Sequence, residues 1–164
     1  MNRVAIGLGS NIDEPLEQLA EALRHINAQP DISSPMLSRV YLSAPIGLKD
    51  QPDFYNAAIV VDTTMTPQNC LQWLLDTEHE MGRQRYRHWG ERCIDLDLLF
   101  FDDLEMQTAS LVVPHPRAHQ RRFVLDPLIE LLGQDYILPG QGNLGSLREK
   151  CADQAIRVLC EFPQ

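Results

Sequence analysis

The 164-residue sequence predicts an α+β fold, with a largely antiparallel central sheet and helices on both faces in αβα layers. Three observations carry that prediction. Strand-like and helix-like segments follow the order strand, helix, strand, strand, helix, strand, with shorter elements after them. Both main helical stripes open on a proline, Pro15 and Pro67, which fits the first turn of a helix. The phosphate loops of doubly wound folds are missing: Gly7-Leu8-Gly9 leads to Ile12 where G-x-G-x-x-G needs glycine, and no G-x-x-x-x-G-K-[ST] run occurs.

Each element has a local reason. Val4 to Leu8 alternates as a strand and ends in the turn-rich Gly9-Ser10-Asn11. After Pro15, the residues Leu16, Leu19, Ala20, Leu23 and Ile26 form a helical stripe, with Asp13 or Glu14 placed to favour its N-terminus. Leu37 to Ser43 reads as a strand, followed by a loop with Pro45, Gly47 and Pro52, and Asn56 to Thr63 reads as the next strand. From Pro67 a second helix places Leu71, Leu74, Leu75, Glu78 and Met81 on one face and closes at Gly82. Residues 83–92 form a polar loop before a strand at 94–101. Leu111 to Val113 is a short strand, and Pro114-His115-Pro116 holds extended or turning backbone. A helix over Val124 to Leu132 has Pro127 near its first turn. A helix from about Leu147 to Gln154 and a strand at Ile156 to Leu159 complete the chain. The strand and helix order of the first hundred residues is that of a ferredoxin-like sheet.

The length fits one domain spanning 1–164, and 44% hydrophobic residues supply a core. A net charge of -9 argues against a nucleic-acid binder, whose affinity comes from neutralising phosphates. Seven of the 14 Lys and Arg residues nevertheless lie between 83 and 122: Arg83, Arg85, Arg87, Arg92, Arg117, Arg121 and Arg122. All are arginines, suited to bidentate phosphate contacts, so this cluster reads either as a site for a small polyphosphate or as a solvated loop. Cys70, Cys93, Cys151 and Cys160 contain no C-x-x-C and are expected as reduced thiols. The N-terminus has no signal-peptide pattern, and no segment approaches the roughly 18 apolar residues of a membrane span. A cytoplasmic monomer without nucleic-acid or membrane partners is expected.

The chemistry concentrates around Asp95-Leu96-Asp97. In a strand, side chains two apart share a face roughly 6.6 Å apart along the chain. Asp95 and Asp97 therefore stand side by side, with Ile94, Leu96 and Leu98 on the opposite face and Leu99 and Phe101 continuing the carboxylate face. Two adjacent anions against an apolar sheet need protonation, partner cations or a metal. A divalent metal site is the sharper reading, and a carboxylate pair on a solvated strand surface is the plainer one. Glu78, on an inward stripe, is either reaching a site or swinging out to solvent.

Taken together, several blocks resemble the 6-hydroxymethyl-7,8-dihydropterin pyrophosphokinases of folate biosynthesis. They are Gly9-Ser10-Asn11, the run from Asp50 to Ala58, Glu78 through Gly82-Arg83, Trp89-Gly90-Glu91-Arg92-Cys93-Ile94-Asp95-Leu96-Asp97, Pro114-His115-Pro116, and Arg121-Arg122-Phe123-Val124-Leu125. The resemblance implies pyrophosphate transfer from ATP to the hydroxymethyl group of the dihydropterin, leaving AMP. It implies that Asp95 and Asp97 bind two magnesium ions, and that Arg83 and Arg92 contact phosphate and act in catalysis with the aspartates. Glu78 and His115 fall on the nucleotide side, with Arg85 and Arg121 as further phosphate contacts. Ser43, Ala44 and Ile46 line the pterin pocket, Asn56 reads the pterin edge, Phe54 and Phe123 sandwich the ring, and Trp89 sits on a loop that closes over the substrates. From the residues alone, Phe54 and Phe123 also fit ordinary core positions. Another metal-dependent nucleotide-using transferase or a non-catalytic nucleotide-binding regulatory domain remain open as alternatives.

Overall fold

The computed structural model describes residues 1–45, 50–82 and 93–164. β1 (Asn2–Ser10) leads through a tight turn into α1 (Pro15–Ala28). Leu19, Ala20, Ala22, Leu23 and Ile26 are the buried stripe of that helix, as the spacing requires. Where one strand over 37–43 was expected, the structure has two, β2 (Ile32–Leu37) and β3 (Val40–Ser43). The break is Ser38-Arg39. Ser38 exchanges backbone and side chain with Ala58: its N–H donates to the Ala58 carbonyl at 3.0 Å, and its Oγ accepts from the Ala58 N–H at 2.8 Å. Both strands thus pair with different stretches of β4 (Phe54–Thr63), which starts two residues earlier than the alternation indicated.

α2 (Pro67–Met81) begins at Thr66, whose Oγ1 accepts from the Asn69 N–H at 3.1 Å. Its buried positions are Cys70, Leu74 and Thr77, an i, i+4, i+7 stripe. Leu75 lies a further 100° round the helix and is 48% exposed, so it does not belong to the inward face assigned to it. β5 (Asp95–Phe101) completes the main sheet, followed by the small hairpin of β6 (Met106–Gln107) and β7 (Val112–Val113). After a single 3-10 turn at Ala118–Gln120 comes α3 (Arg122–Leu132). It starts two residues before the expected Val124, which places Pro127 inside the helix instead of in its first turn. A second hairpin, β8 (Ile137–Leu138) with β9 (Gly142–Asn143), precedes α4 (Leu144–Glu149) and the last strand, β10 (Ile156–Cys160). The expected helix over 147–154 is displaced because the Asn143 side chain accepts from the Ser146 N–H at 2.8 Å and starts the helix there.

The sheet order is β10-β3-β4-β1-β5, with β2 also on β4, and every described pairing is antiparallel. Val4, Ile6 and Leu8 of β1, Ala57, Ile59 and Val61 of β4, and Leu96 and Leu98 of β5 form one face. It packs on α1 and α2. The opposite face carries Ala5, Ala58, Val60, Leu99 and Phe100 and is covered by α3 and α4. The result is an αβα layering of a ferredoxin-like sheet, with each fully buried Leu, Ile or Phe contributing about 1.5–3 kcal/mol.

One register detail corrects the carboxylate face. Ile6 pairs with Leu98 but Ala5 pairs with Phe100, so Leu99 is an extra residue, a β-bulge. Parity flips there. Leu99 continues the face of Asp95 and Asp97, whereas Phe101 joins the Ile94, Leu96 and Leu98 side.

Candidate active site

α3 and α4 cover only part of their sheet face. At the N-terminal end of α3, the uncovered face carries the glycines of β1 and the aspartates of β5, paired as Gly9 with Asp95 and Gly7 with Asp97. A cavity of about 360 Å³ opens there, within the size range of small-ligand sites. Asp95 and Asp97 form one side of it, Ser43, Ala44, Phe54 and Asn56 another, and Arg117, Arg121 and Phe123 close it from the direction of α3. The two carboxylates are half-buried.

The polar wall is ordered by Asn56. It is 4% exposed, and its Nδ2 donates to Ser43 Oγ at 2.8 Å and towards the carbonyls of Tyr41 and Phe54, each at 3.2 Å. Its Oδ1 points to the floor at Gly9, where an added Cβ would lie 3.6 Å away. The amide expected to read a ligand's edge therefore offers the cavity its acceptor, with the donor half held by the protein. Phe54 and Phe123 are both half-buried at the cavity wall, so neither is a plain core residue.

Arg121 links the two ends. Its guanidinium carbon lies 5.5 Å from the centre of the Phe123 ring, a cation-π distance. Burial pushes its pKa down from the ordinary arginine value, the Asp97 carboxylate pulls it up, Arg117 pushes it down and Asp95 pulls it up. The arginine stays charged and faces the aspartate pair.

Two predicted nucleotide-side residues lie outside the cavity lining and attach to the backbone of β5. The Glu78 carboxylate, from α2, accepts the Leu96 N–H at 2.8 Å. It does not swing out to solvent; it ties the helix to the strand between the two aspartates. The His115 N–H donates to the Leu99 carbonyl at 2.8 Å, after a cis Val113–Pro114 bond. His115 Nδ1 accepts from the Arg117 N–H at 3.1 Å, which leaves Nε2 as the protonated nitrogen of a neutral ring. Burial lowers the His115 pKa, and Arg121 and Arg117 lower it further.

A pH effect follows. Below pH about 6.5 the unfolded chain takes up a proton at this histidine that the folded ring resists, so its contribution to stability is complete above that value and is lost as pH falls through the depressed folded value. His115→Gln removes the contribution. Between pH 7.5 and pH 5 the variant is expected to lose less melting temperature than the wild type, and an equal loss in both would show that His115 is not the group involved.

Ile46, Arg83, Arg85, Trp89 and Arg92 lie outside the described residues. Two groups given no role in the sequence, the glycine pair and Asn11, belong to the site, beside Arg117 of the arginine cluster. Gly7 and Gly9 form its floor, and their signal was visible: two glycines at i and i+2 of a strand mark close approach to one face. Arg117 lines the cavity. Asn11, 2% exposed, donates to Gln51 Oε1 at 2.8 Å and the Pro52 carbonyl at 3.1 Å, fixing the segment that leads into Phe54.

Residues 5–133 match the family model of 7,8-dihydro-6-hydroxymethylpterin-pyrophosphokinase (HPPK). The chain is 39% identical over 154 residues to the 2-amino-4-hydroxy-6-hydroxymethyldihydropteridine pyrophosphokinase of Haemophilus influenzae, covering 94% of this chain and 96% of that protein. It is 40% identical over 136 residues to the bifunctional protein FolKE of Lactococcus lactis, covering 83% of this chain but 39% of that one. In fold it is similar to wild-type HPPK-DHPS of Plasmodium falciparum, at TM-score 0.67 and 14% identity, over 91% of this chain and 44% of that chain. With more than half its length matched by the family model and a near-full-length relative at that identity, the chain belongs to the 7,8-dihydro-6-hydroxymethylpterin-pyrophosphokinase family.

Proposed function

We infer that this chain is an ATP-dependent pyrophosphokinase that transfers pyrophosphate from ATP to the hydroxymethyl group of 6-hydroxymethyl-7,8-dihydropterin, giving AMP and the dihydropterin pyrophosphate in folate biosynthesis. Beside the family membership, one observation supports it: a single cavity has a carboxylate pair at one end and an amide with two aromatic rings at the other, joined by Arg121. That is what a donor rich in negative charge and a flat acceptor need in order to meet. The hydroxymethyl oxygen attacks the β-phosphorus and its proton is released, the bond from that phosphorus to the α,β-bridging oxygen breaks, and AMP departs with the bonding electron pair.

Asp95 and Asp97 are assigned to magnesium. Magnesium takes hard oxygen ligands and keeps several waters, binding through one or two carboxylates together with substrate phosphates. Two half-buried carboxylates on one strand face suit it without a third protein ligand. Two such ions, when bound, neutralise phosphate charge and align nucleophile and leaving group. Arg121 adds fixed positive charge between the aspartates and Phe123, and Arg83, Arg85 and Arg92 are assigned to the phosphates on the sequence resemblance. Asn56 Oδ1 accepts from the pterin edge. Phe54 and Phe123 hold the ring by stacking, worth about 0.5–1.5 kcal/mol per aromatic pair beyond burial. Ser43 and Ala44 line the pterin side, and His115 and Glu78 act from behind β5 on the nucleotide side; the pterin-side role of Ile46, and that of Trp89 in keeping water from the phosphates, are assigned on the sequence resemblance.

The enzyme is further assigned to the cytoplasm as a monomer of one domain over 1–164 that binds no nucleic acid. The net charge of -9 supports the last point. Among the described residues no helix is long and apolar enough to cross a membrane.

Incubation with ATP, magnesium and the hydroxymethyl dihydropterin is expected to release AMP in step with loss of the pterin alcohol. Release of ADP, or no product, would overturn the reading.

A further inference from the structure

The strip that carries Arg121 and Phe123 into the cavity is a corner between the 3-10 turn and α3, and its stability is not self-evident. Arg121 is the residue before the helix, and no side chain of its own caps it. The first N–H groups of a helix have no partner within it and need one from elsewhere. Here the partner comes from the far end of the chain, beyond residue 133, where the family match stops.

Gln154 spans the corner. Its Oε1 accepts the Arg122 N–H at 2.9 Å, and its Nε2 donates to the Gln120 carbonyl at 2.8 Å. Its own carbonyl accepts from Arg122 Nη1 at 2.9 Å. One side-chain amide thus fixes the backbone on both sides of Arg121. The clasp is itself braced. Arg122 Nε and Arg148 Nε both donate to Asp126, at 3.2 and 2.7 Å, which ties α3 to α4. The Gln154 N–H donates to the Cys151 carbonyl at 3.0 Å.

We propose that Gln154 is a positioning residue for the acceptor side of the site: by clasping Gln120 and Arg122 it sets where Arg121 and Phe123 enter the cavity. The inference rests on the reading of Phe123 as a wall of the pterin pocket. Nothing in it requires Gln154 to touch a substrate. Arg122, in the same motif as Arg121, is turned away to Asp126 and Gln154 and serves the clasp.

The test measures KM for the dihydropterin at saturating magnesium-ATP, with kcat and melting temperature, for four variants. Gln154→Ala is expected to raise that KM about fivefold, with a smaller fall in kcat, about twofold to threefold, through Arg121. Gln154→Glu keeps an acceptor for the Arg122 N–H but opposes the Gln120 carbonyl, so its KM is expected to fall between wild type and Gln154→Ala. Thr66→Ala is the control: it removes the equivalent acceptor at the start of α2, on the other face of the sheet, and its KM is expected to stay within twofold. Phe123→Ala tests the underlying reading and is expected to raise the same KM. If Phe123→Ala raises it and Gln154→Ala does not, the clasp is structural only and the proposal fails alone. If Phe123→Ala leaves it unchanged, the pocket assignment fails and the proposal with it. A rise for Thr66→Ala equal to that for Gln154→Ala would mean lost stability, not position, and also overturns it. Should Gln154→Ala not fold, Gln154→Glu carries the test alone, with a KM within error of wild type as the overturning result.

Discussion

Asp97→Ala is expected to lower the rate of AMP formation about a thousandfold, about 4 kcal/mol of barrier. Asp97 and Asp95 stand on one face of β5, opposite Gly7 and Gly9, with Arg121 in front of them. Removing one carboxylate takes away half of the hard-oxygen donor set proposed for magnesium, and a single well-placed electrostatic group in a confined site is commonly worth a factor of about 10²–10³. Asp95→Ala is expected to be comparable, and the double variant little worse than either, because residues acting as one unit are not additive. Stability should move far less. Alanine removes the repulsion between like charges and also the attraction of Arg121, so the melting temperature of either single variant is expected to change little. That separation makes the test decisive: steady-state rates and melting curves are measured on the same samples, and a loss of rate below about tenfold would remove the aspartates from the magnesium assignment.

The arrangement of that pair was legible in the sequence to the extent that alternation is. Asp95, Asp97 and Leu99 share a face because residues two apart must, and the proline-initiated helices lie where Pro15 and Pro67 put them. What alternation cannot show is an inserted residue. The bulge at Leu99 sends Phe101 to the other side of the sheet, and the Ser38-Arg39 break splits one apparent strand into two. Both depend on partners far along the chain: Ala58 in one case, the register of β1 in the other. Glu78 illustrates the same limit at the site. Its place on an inward stripe marked it as unusual, but the group it answers to is a backbone N–H of β5, which has no signature in residue type. The clasp by Gln154 is further still from anything local, since a glutamine near the end of a chain bears no mark of the corner it holds. Residue chemistry was readable and long-range backbone partnership was not.

The acceptor side makes the second large prediction, through Asn56. Asn56→Ala removes the Oδ1 acceptor beside Gly9, and it is expected to raise KM for the dihydropterin about a hundredfold, about 2.7 kcal/mol, because a donor on the ligand then enters the cavity unpaired. Asn56→Asp asks the opposite question. The carboxylate keeps an acceptor for the ligand, but where Nδ2 donated it now presents a second oxygen to the carbonyls of Tyr41 and Phe54; the Ser43 hydroxyl can turn to donate, and the two carbonyls cannot. A buried charge facing acceptors is expected to cost about 2–4 kcal/mol of stability, roughly 5–15 °C of melting temperature for a chain this size. The two variants should therefore cross: alanine is the worse for KM and aspartate the worse for stability. Steady-state kinetics and thermal melts on the pair decide it. If Asn56→Ala leaves KM within threefold, the amide serves only to join β3 to β4, and the pterin edge is read by some other group.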